Sequence, residues 1–321
     1  MQEISVEMRL GWYRQMCLIR AFEREVYQLN TAGLVRGTAH LYIGMEAIAV
    51  GACSAMREED FLTSTHRGHG HCISRNLNLG RMMAEILGRA DGTCGGKGGS
   101  MHIADISRGM LGADGIVGGG IPIAVGAALG ARLRNSNSVV FCFFGEGATN
   151  QGSFHEALNL ASVQRLPVVF VCENNLWALS AGFAATTAGE SVANRAKAYG
   201  IPGASVDGND VRTVFEVARE AAVRARQGLG PSLLECASYR WEGHSIFTKR
   251  EIRPEEEIKR WKQQDPILRL RTQLLEGRGA STEALEQIET AVGTEIGEAV
   301  RFAKNSPIPD PAKAFEHIYI S

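Results

Sequence analysis

The chain has 321 residues, which is long for one domain and enough to bury a substantial core. Hydrophobic residues make up 45% of it and charged residues 21%, a balance that excludes a disordered or fibrous protein. Its 34 basic and 35 acidic side chains leave a formal charge of −1, so we expect neither a nucleic acid nor a membrane as partner.

The cysteine and glycine content indicates the cellular compartment and the type of backbone structure to expect. The seven cysteines form no C-x-x-C pair and no zinc-site spacing, which favours free thiols in a reducing compartment. The first ten residues, MQEISVEMRL, have neither the basic nor the apolar stretch of a secretory signal, so we expect a cytoplasmic protein. Glycine occurs 37 times, well above its usual share of about 7%, and indicates tight turns or close backbone approach.

The first part of the chain combines helices with loops rich in glycine and histidine. Apolar residues recur at helical spacing over residues 5–32 and stop at Gly33, and a second helix is predicted over residues 46–56. Residues 60–120 contain only short helical pieces, such as residues 81–87. This composition is typical of a functional site rather than of a core.

The middle of the chain alternates strands and helices. The uncharged residues 115–131 are too short for a membrane span and predict a buried core helix. Helices are predicted over residues 121–133, 153–164, 192–199 and 211–227, and strands over residues 139–144, 167–172, 204–206 and 232–238. Unbroken apolar strands separated by helices indicate a parallel sheet covered on both faces, with ligands at the carboxyl ends of its strands.

These elements predict an α/β fold with a doubly wound, mainly parallel sheet and helical extensions at both ends. The tail from about residue 254 is charged and helical, and prolines interrupt it. We therefore expect an α/β domain over residues 1–265 and a C-terminal helical extension over residues 266–321.

Two predicted strands end in polar loops, GEGATN (residues 145–150) and ENN (residues 173–175). Because neighbouring parallel strands end at one edge of the sheet, a carboxylate and an amide meet there, and Mg²⁺ prefers such oxygen ligands. The glycines also let backbone N–H groups approach a phosphate. GEGATN lacks the last glycine of a dinucleotide fingerprint, and GGKGGS (residues 95–100) is not a P-loop, so neither a Rossmann site nor a P-loop NTPase is supported.

The loop pair does match the thiamine diphosphate motif, G-D-G followed later by N-N, with Glu146 in place of the aspartate. The chain as a whole resembles the alpha subunit of the thiamine-diphosphate-dependent component of 2-oxo acid and acetoin dehydrogenase complexes. The resemblance is carried by segments spread over nearly the whole chain: RGTAHLYIGMEAIAVG (36–51), TSTHRGHGHCI (63–73), GKGGSMHIAD (96–105), GADGIVGGGIPIAVGAAL (112–129), GEGATNQGSFHEALNLAS (145–162), VCENNLWALS (171–180), YGIPGASVDGND (199–210) and YRWEGHS (239–245).

The resemblance implies the thiamine diphosphate-binding fold and a Mg²⁺ ion. The metal would be held by Glu146, by the side chain of Asn175 and by the backbone carbonyl of Trp177. Glutamate is one methylene longer than aspartate, and Mg²⁺ tolerates little distortion of its octahedron, so we expect altered metal affinity or preference.

The resemblance also assigns the groups that contact the cofactor. The diphosphate would be bound by His66, Arg67 and His244 and by the loop that Gly145 opens, through the amides of Gly147 and Ala148. An arginine and two imidazoles beside the metal would neutralise its charge.

The resemblance further places Gly115 and Val117 against the aminopyrimidine ring and His40 at the substrate and the reacting thiazolium carbon. His40 and His244 are the expected catalytic residues. An imidazole needs only a small pKa shift to move protons at neutral pH, which suits His40 to that role.

The implied reaction is cleavage of acetoin, or oxidative decarboxylation of a small 2-oxo acid such as pyruvate, with transfer of the product to a lipoyl carrier. The segments at residues 65–73 and 112–129 favour acetoin first, pyruvate second and branched-chain 2-oxo acids third. The implied partners are a beta subunit in a two-alpha, two-beta heterotetramer, which supplies a carboxylate to the cofactor, and a lipoyl-bearing acyltransferase.

Two alternatives stay open. One is a regulatory or binding subunit that keeps the fold but has an impaired metal and cofactor site, motivated by Glu146 and by the unusual loop after Ser245. The other is a single-chain decarboxylase or transketolase-like enzyme, for which 321 residues leave no room for a second domain of comparable size.

Several histidines have competing interpretations. His66, His69 and His71 suggest a metal cluster, although the resemblance favours phosphate binding by His66 and structural roles for the other two. His102 is less suited than His40 to a catalytic role, and His155 is expected to pack against the fold. The charged residues 253–262 predict a solvated helix face rather than a docking site.

Overall fold

A six-stranded parallel sheet organises the computed structural model, which describes residues 4–248 and 252–316. Its strands are β1 (Phe61–Thr63), β2 (Met110–Gly112), β3 (Val140–Gly145), β4 (Val168–Asn174), β7 (Gly203–Asp207) and β8 (Ser232–Ala237), and they lie in the order β2-β1-β3-β4-β8-β7. A separate antiparallel hairpin is formed by β5 (Trp177–Ala178) and β6 (Ala181–Gly182).

Helices precede, connect and follow these strands. The α-helices are α1 (Val6–Thr31), α2 (Glu46–Ser54), α3 (His69–Ser74), α4 (Leu79–Ile86), α5 (Gly120–Leu133), α6 (Gly152–Val163), α7 (Phe183–Thr186), α8 (Val211–Arg226), α9 (Glu255–Lys262), α10 (Pro266–Glu276) and α11 (Thr282–Asn305). Short 3₁₀ helices occur at Ser100–His102, Ile106–Arg108, Glu146–Asn150, Ala193–Tyr199 and Pro311–Lys313. None of the helices within the described ranges is long and apolar enough to cross a membrane.

The sheet separates two apolar cores, because alternate residues of a strand point to opposite faces. Phe141 and Phe143 of β3 pack into the core on the side of α1, α2 and α8. Cys142 and Phe144 pack into the opposite core, which α5 and α6 cover. Coverage of both faces explains why the strands lack polar alternation, and it confirms the predicted doubly wound α/β fold.

The predicted strands and helices after residue 120 are confirmed to within about two residues, although residues 193–199 form a 3₁₀ helix. β1 and β2 are not predicted from the sequence, because each has only three residues in a glycine-rich region. The buried helix predicted over residues 115–131 is wrong at its start: α5 begins at Gly120, and Ile116 is 73% exposed. Gly118 turns the chain there, with φ of 84°.

The C-terminal helices belong to the larger core. Leu270 and Leu274 of α10 and Val292 and Ile296 of α11 are buried in the same apolar cluster as α1. The domain boundary at residue 265 stays a prediction. The solvated face predicted over residues 253–262 holds for α9, which has no buried residue, but is wrong for Arg253, which is buried and donates to the carbonyl of Glu242.

Candidate active site

A cavity of about 350 Å³ lies at the carboxyl edge of the sheet. β2 lies on one side of β1, whereas β3 and β4 lie on the other side, so the loops after β1 and β3 diverge. Open parallel sheets bind ligands in the crevice that such a divergence leaves. The cavity is lined by the loop after β1, by the loop after β3 and by residues that follow β4.

The structure brings all the predicted site residues to this one cavity. They are His40, His66, Arg67, Gly115, Val117, Gly145, Glu146, Gly147, Ala148, Asn175, Trp177 and His244. The structure therefore shows that these residues lie together, and the role of each one stays a prediction.

The acidic part of the cavity is built around Glu146, which is only 1% exposed. Its Oε2 accepts from the backbone N–H of Asn175 at 3.3 Å, and Oδ1 of Asn175 accepts from the N–H of Trp177 at 3.3 Å. Burial raises the pKa of Glu146, against the opposing effects of backbone N–H groups and of Arg240 and Arg67. A bound cation would offset this loss of solvation, so the carboxylate and its oxygen-bearing neighbours fit a hard divalent metal.

The loop after β3 requires glycine at position 147. A Cβ added there would lie 2.9 Å from the Cβ of Ala178, closer than real Cβ atoms come to another carbon. A 3₁₀ turn over Glu146–Asn150 follows the strand, and α6 begins only at Gly152. Glycine at position 147 thus allows the loop to pack closely against the hairpin, and approach of its backbone to a phosphate stays a prediction.

Three imidazoles form another wall of the cavity. The ring centroid of His40 lies 4.6 Å from that of His66 and 4.9 Å from that of His244. Burial, reinforced by the charge of Arg67, lowers the pKa of His40 to about 2, of His66 to about 3 and of His244 to about 4. Nδ1 of His40 is buried and has no hydrogen-bond partner within the described residues, so its hydrogen-bonding capacity is unused.

Two buried arginines hold the wall together. Arg67 donates to the backbone carbonyls of Leu41 and His244, and burial lowers its pKa to about 10. Arg240 donates to Nδ1 of His244 at 3.2 Å, to the carbonyl of Trp177 at 3.4 Å and to that of Leu179. Sequence reasoning missed Arg240, although it lies four residues before His244 in the quoted segment YRWEGHS.

A second missed group lies beneath the cavity. Glu173, at the end of β4, faces Nε2 of His71 at 3.2 Å and accepts from the hydroxyl of Tyr42. Nδ1 of His71 lies 2.7 Å from Oγ of Ser64, and both Glu173 and Ser64 line the cavity. The residues of this network are far apart in the sequence, so only the structure shows that they contact one another.

His69 and His71 do not form a metal cluster with His66. His69 is buried against Glu23, with 3.0 Å between Nδ1 and Oε2, and His71 is paired with Glu173. The structural interpretation of both histidines is therefore supported, and the cluster interpretation is wrong. His155, expected to pack against the fold, is exposed, but its ring contacts that of Phe154 edge-on and it is hydrogen-bonded to Tyr199.

The GGKGGS loop encloses a carboxylate of the chain itself. Oε1 of Glu85 accepts from the N–H groups of Gly98 at 2.7 Å and Gly99 at 3.0 Å. Oε2 accepts from Cys94 at 2.7 Å and Gly96 at 2.9 Å. Because the loop's amides already bind an internal anion, they are not available to a nucleotide phosphate, in agreement with the rejected P-loop.

Residues 13–312 match the family described as dehydrogenase E1 component. The chain is 46% identical over 319 residues to the alpha subunit of acetoin:2,6-dichlorophenolindophenol oxidoreductase of Bacillus subtilis, covering 99% of this chain and 95% of that one. The subunit of the same name from Cupriavidus necator is 44% identical, with 99% and 96% covered. The chloroplastic pyruvate dehydrogenase E1 component subunit alpha-3 of Arabidopsis thaliana is 38% identical, with 98% and 75% covered.

These similarities span the whole of the cavity, from His40 to His244. They confirm the resemblance inferred from the sequence motifs, and the family implies dependence on thiamine diphosphate. The chain therefore belongs to the dehydrogenase E1 component family.

Proposed function

We propose that this chain is the alpha subunit of an E1 enzyme that cleaves acetoin with thiamine diphosphate and Mg²⁺. The observation that carries the proposal is that one cavity is lined both by the buried carboxylate of Glu146 and by three neutral imidazoles. Acetoin is favoured over pyruvate because the two acetoin relatives are 46% and 44% identical, against 38% for the plant pyruvate dehydrogenase subunit.

Mg²⁺ would be held by the carboxylate of Glu146, the side-chain oxygen of Asn175 and the carbonyl of Trp177. All three belong to two adjacent loops that already contact each other. The carbonyl of Trp177 receives a donor from Arg240, and its second lone pair can serve the metal. This arrangement argues against the alternative of an impaired site, because the longer side chain of Glu146 still lies within reach of its partners.

The diphosphate would lie between the metal and the imidazole wall. His66, His244 and the amides of Gly147 and Ala148 would donate to its oxygens. Arg67 and Arg240 also line the cavity, add positive charge to it and donate hydrogen bonds to His244. Their charge is only partly screened, because both guanidinium groups are buried.

Thiamine diphosphate, when bound, supplies the carbanion chemistry that makes and breaks the carbon–carbon bond. The task of His40 is to handle a proton beside the substrate. Its lowered pKa keeps the ring neutral near pH 7, and its buried Nδ1 is not engaged by the chain. Such a ring can accept or donate a hydrogen bond as the charge on a substrate oxygen changes.

The proposal includes the partners that the resemblance implies. A beta subunit would complete the site with its own carboxylate in a two-alpha, two-beta assembly, and a lipoyl-bearing acyltransferase would accept the product. All seven cysteines are free thiols, which supports a reducing, cytoplasmic location.

The test is to co-express the chain with its candidate beta subunit and to follow reduction of 2,6-dichlorophenolindophenol with acetoin and with pyruvate. We expect a higher kcat/KM with acetoin, and preference for pyruvate would overturn the substrate assignment. Calorimetry of Glu146→Ala in the same complex tests the metal site. If that variant binds thiamine diphosphate with an unchanged dependence on Mg²⁺, Glu146 is not a ligand.

A further inference from the structure

The three imidazoles of the cavity wall have the spacing of a metal site. One ring nitrogen each from His40, His66 and His244 lies within 4.8 Å of the other two. Three imidazoles and a water are a common ligand set for Zn²⁺, with nitrogen–metal distances of about 2.0–2.1 Å. Tetrahedral geometry then needs nitrogen–nitrogen separations of roughly 3.4 Å, which small side-chain rotations can reach.

The imidazoles are also in the right chemical state. A metal needs a neutral ring with a lone pair, and the pKa values of the three rings lie well below neutrality. Nδ1 of His40 has no partner, and no carboxylate is hydrogen-bonded to any of the three rings in the part of the chain that the structure describes. His69 and His71, by contrast, are both held by glutamates.

Charged groups around the trio act in both directions. Arg67 and Arg240 repel a dication, and Arg240 must give up its hydrogen bond to Nδ1 of His244 whichever nitrogen of that ring binds the metal. The carboxylates of Glu146 and Glu173 line the same cavity and would attract a dication. The balance favours a borderline-soft ion that prefers imidazole over a hard ion that prefers carboxylate.

We propose that His40, His66 and His244 bind a divalent transition-metal ion such as Zn²⁺ when the cofactor is absent, and that this ion and thiamine diphosphate exclude each other. The two ligands compete because the same imidazoles line the space in which the diphosphate is expected. Zn²⁺ would thus inhibit loading of the cofactor without touching the Mg²⁺ ligands. This inference concerns binding alone and does not depend on which substrate the enzyme uses.

Co²⁺ is the probe, because four-coordinate Co²⁺ with nitrogen ligands absorbs visible light. The cofactor-free complex of the chain with its beta subunit is titrated with Co²⁺, and a one-to-one absorbing species is expected. His66→Gln should weaken binding about tenfold or more, since even outer-shell changes cost 10–100-fold. The matched control is His102→Gln, which changes an exposed histidine outside the trio and should leave Co²⁺ affinity unchanged.

The second part of the test is competition between Co²⁺ and thiamine diphosphate. Addition of thiamine diphosphate with Mg²⁺ should release the Co²⁺ and abolish the visible absorption. His244→Gln, checked for folding by circular dichroism, should behave like His66→Gln. The proposal is overturned if no one-to-one species forms, if His66→Gln and His244→Gln bind Co²⁺ as tightly as the control, if the spectrum shows thiolate charge transfer, or if Co²⁺ and the cofactor bind together.

Discussion

Two groups of histidines lie within one region of the molecule but have opposite surroundings. His69 and His71 are fully buried, and each is held by a glutamate. His40, His66 and His244 face the cavity and have arginines rather than carboxylates as their charged neighbours. A buried imidazole with a carboxylate partner is satisfied and stabilises the fold, whereas one without such a partner can still bind a ligand.

The glutamates that hold His69 and His71 also position the segment that carries His40. Glu23 accepts from the N–H of Tyr42 at 3.0 Å as well as facing His69, and Glu173 accepts from the hydroxyl of Tyr42. Burial and the charge of Glu173 raise the pKa of Tyr42 well above its usual range, so the hydroxyl remains a donor. The buried glutamates thereby fix the segment that carries His40, two residues before Tyr42.

The largest expected effect comes from breaking a buried pair. Glu23→Ala removes the partner of His69 and the acceptor of a buried N–H, and we expect a loss of about 3–5 kcal/mol in the free energy of unfolding. Urea denaturation measures it. Gln28→Ala, an exposed site on the same helix, should change stability by at most about 0.5 kcal/mol. Equal effects of the two substitutions would contradict a structural role for the pair.

Substitution of a histidine that faces the cavity should weaken cofactor binding and leave the stability of the fold nearly unchanged. His66→Gln removes a donor to the diphosphate, and hydrogen bonds to charged groups contribute about 1.5–3 kcal/mol, so thiamine diphosphate should bind roughly tenfold more weakly or worse. The free energy of unfolding should change by less than about 1 kcal/mol. Calorimetry and urea denaturation of the same sample distinguish the two effects. A variant that loses stability but binds thiamine diphosphate normally would show that His66 is a structural residue and not a cofactor ligand.

The low pKa values of His40, His66 and His244 predict that the free energy of unfolding of the cofactor-free protein depends on pH. The folded pKa values of about 2, 3 and 4 lie below the ordinary 6.5, so the unfolded chain takes up protons first as the pH falls. Stability is therefore lost as the pH drops from about 6.5 towards 4, by at most about 1.4 kcal/mol per pH unit for each ring. His66→Gln should make this slope shallower, and an unchanged slope would contradict the assigned pKa shift.

The smallest effect is expected at a histidine that belongs to neither group. His155 is exposed and is bonded to Tyr199, so His155→Gln should change the free energy of unfolding by no more than about 0.5 kcal/mol. Cofactor affinity should not change. A large loss of either quantity would show that burial and charged partners are not what separates the two groups.

Much of the fold could be predicted from the sequence because its strands are unbroken apolar runs. β3, β4 and β8 have almost no exposed residue, and the helices between them show clear periodicity. β1 and β2 escape prediction because three residues are too few to show a pattern, yet the pairing of β1 with β3 and of β2 with β1 decides where the cavity lies. Short strands depend on partners in space that the sequence alone does not display.

The residues of the cavity could be predicted where the segments resemble those of a known family, as at Asn175 and His244. The pairing of His69 with Glu23 could not, because 46 residues separate the two and no local pattern links them. Arg240 was overlooked because an arginine inside a quoted segment has no distinctive spacing of its own. Only the structure shows that it contacts both His244 and Trp177.

The most direct test is a crystal structure of the chain with its beta subunit, thiamine diphosphate and Mg²⁺. We predict that His66 and His244 contact the diphosphate, that His40 faces the thiazolium, and that the metal lies on Glu146. His69 and His71 should keep their glutamate partners without contacting the cofactor. A cofactor bound elsewhere, or bound by His69 or His71, would contradict the division of the histidines into buried structural residues and cofactor ligands.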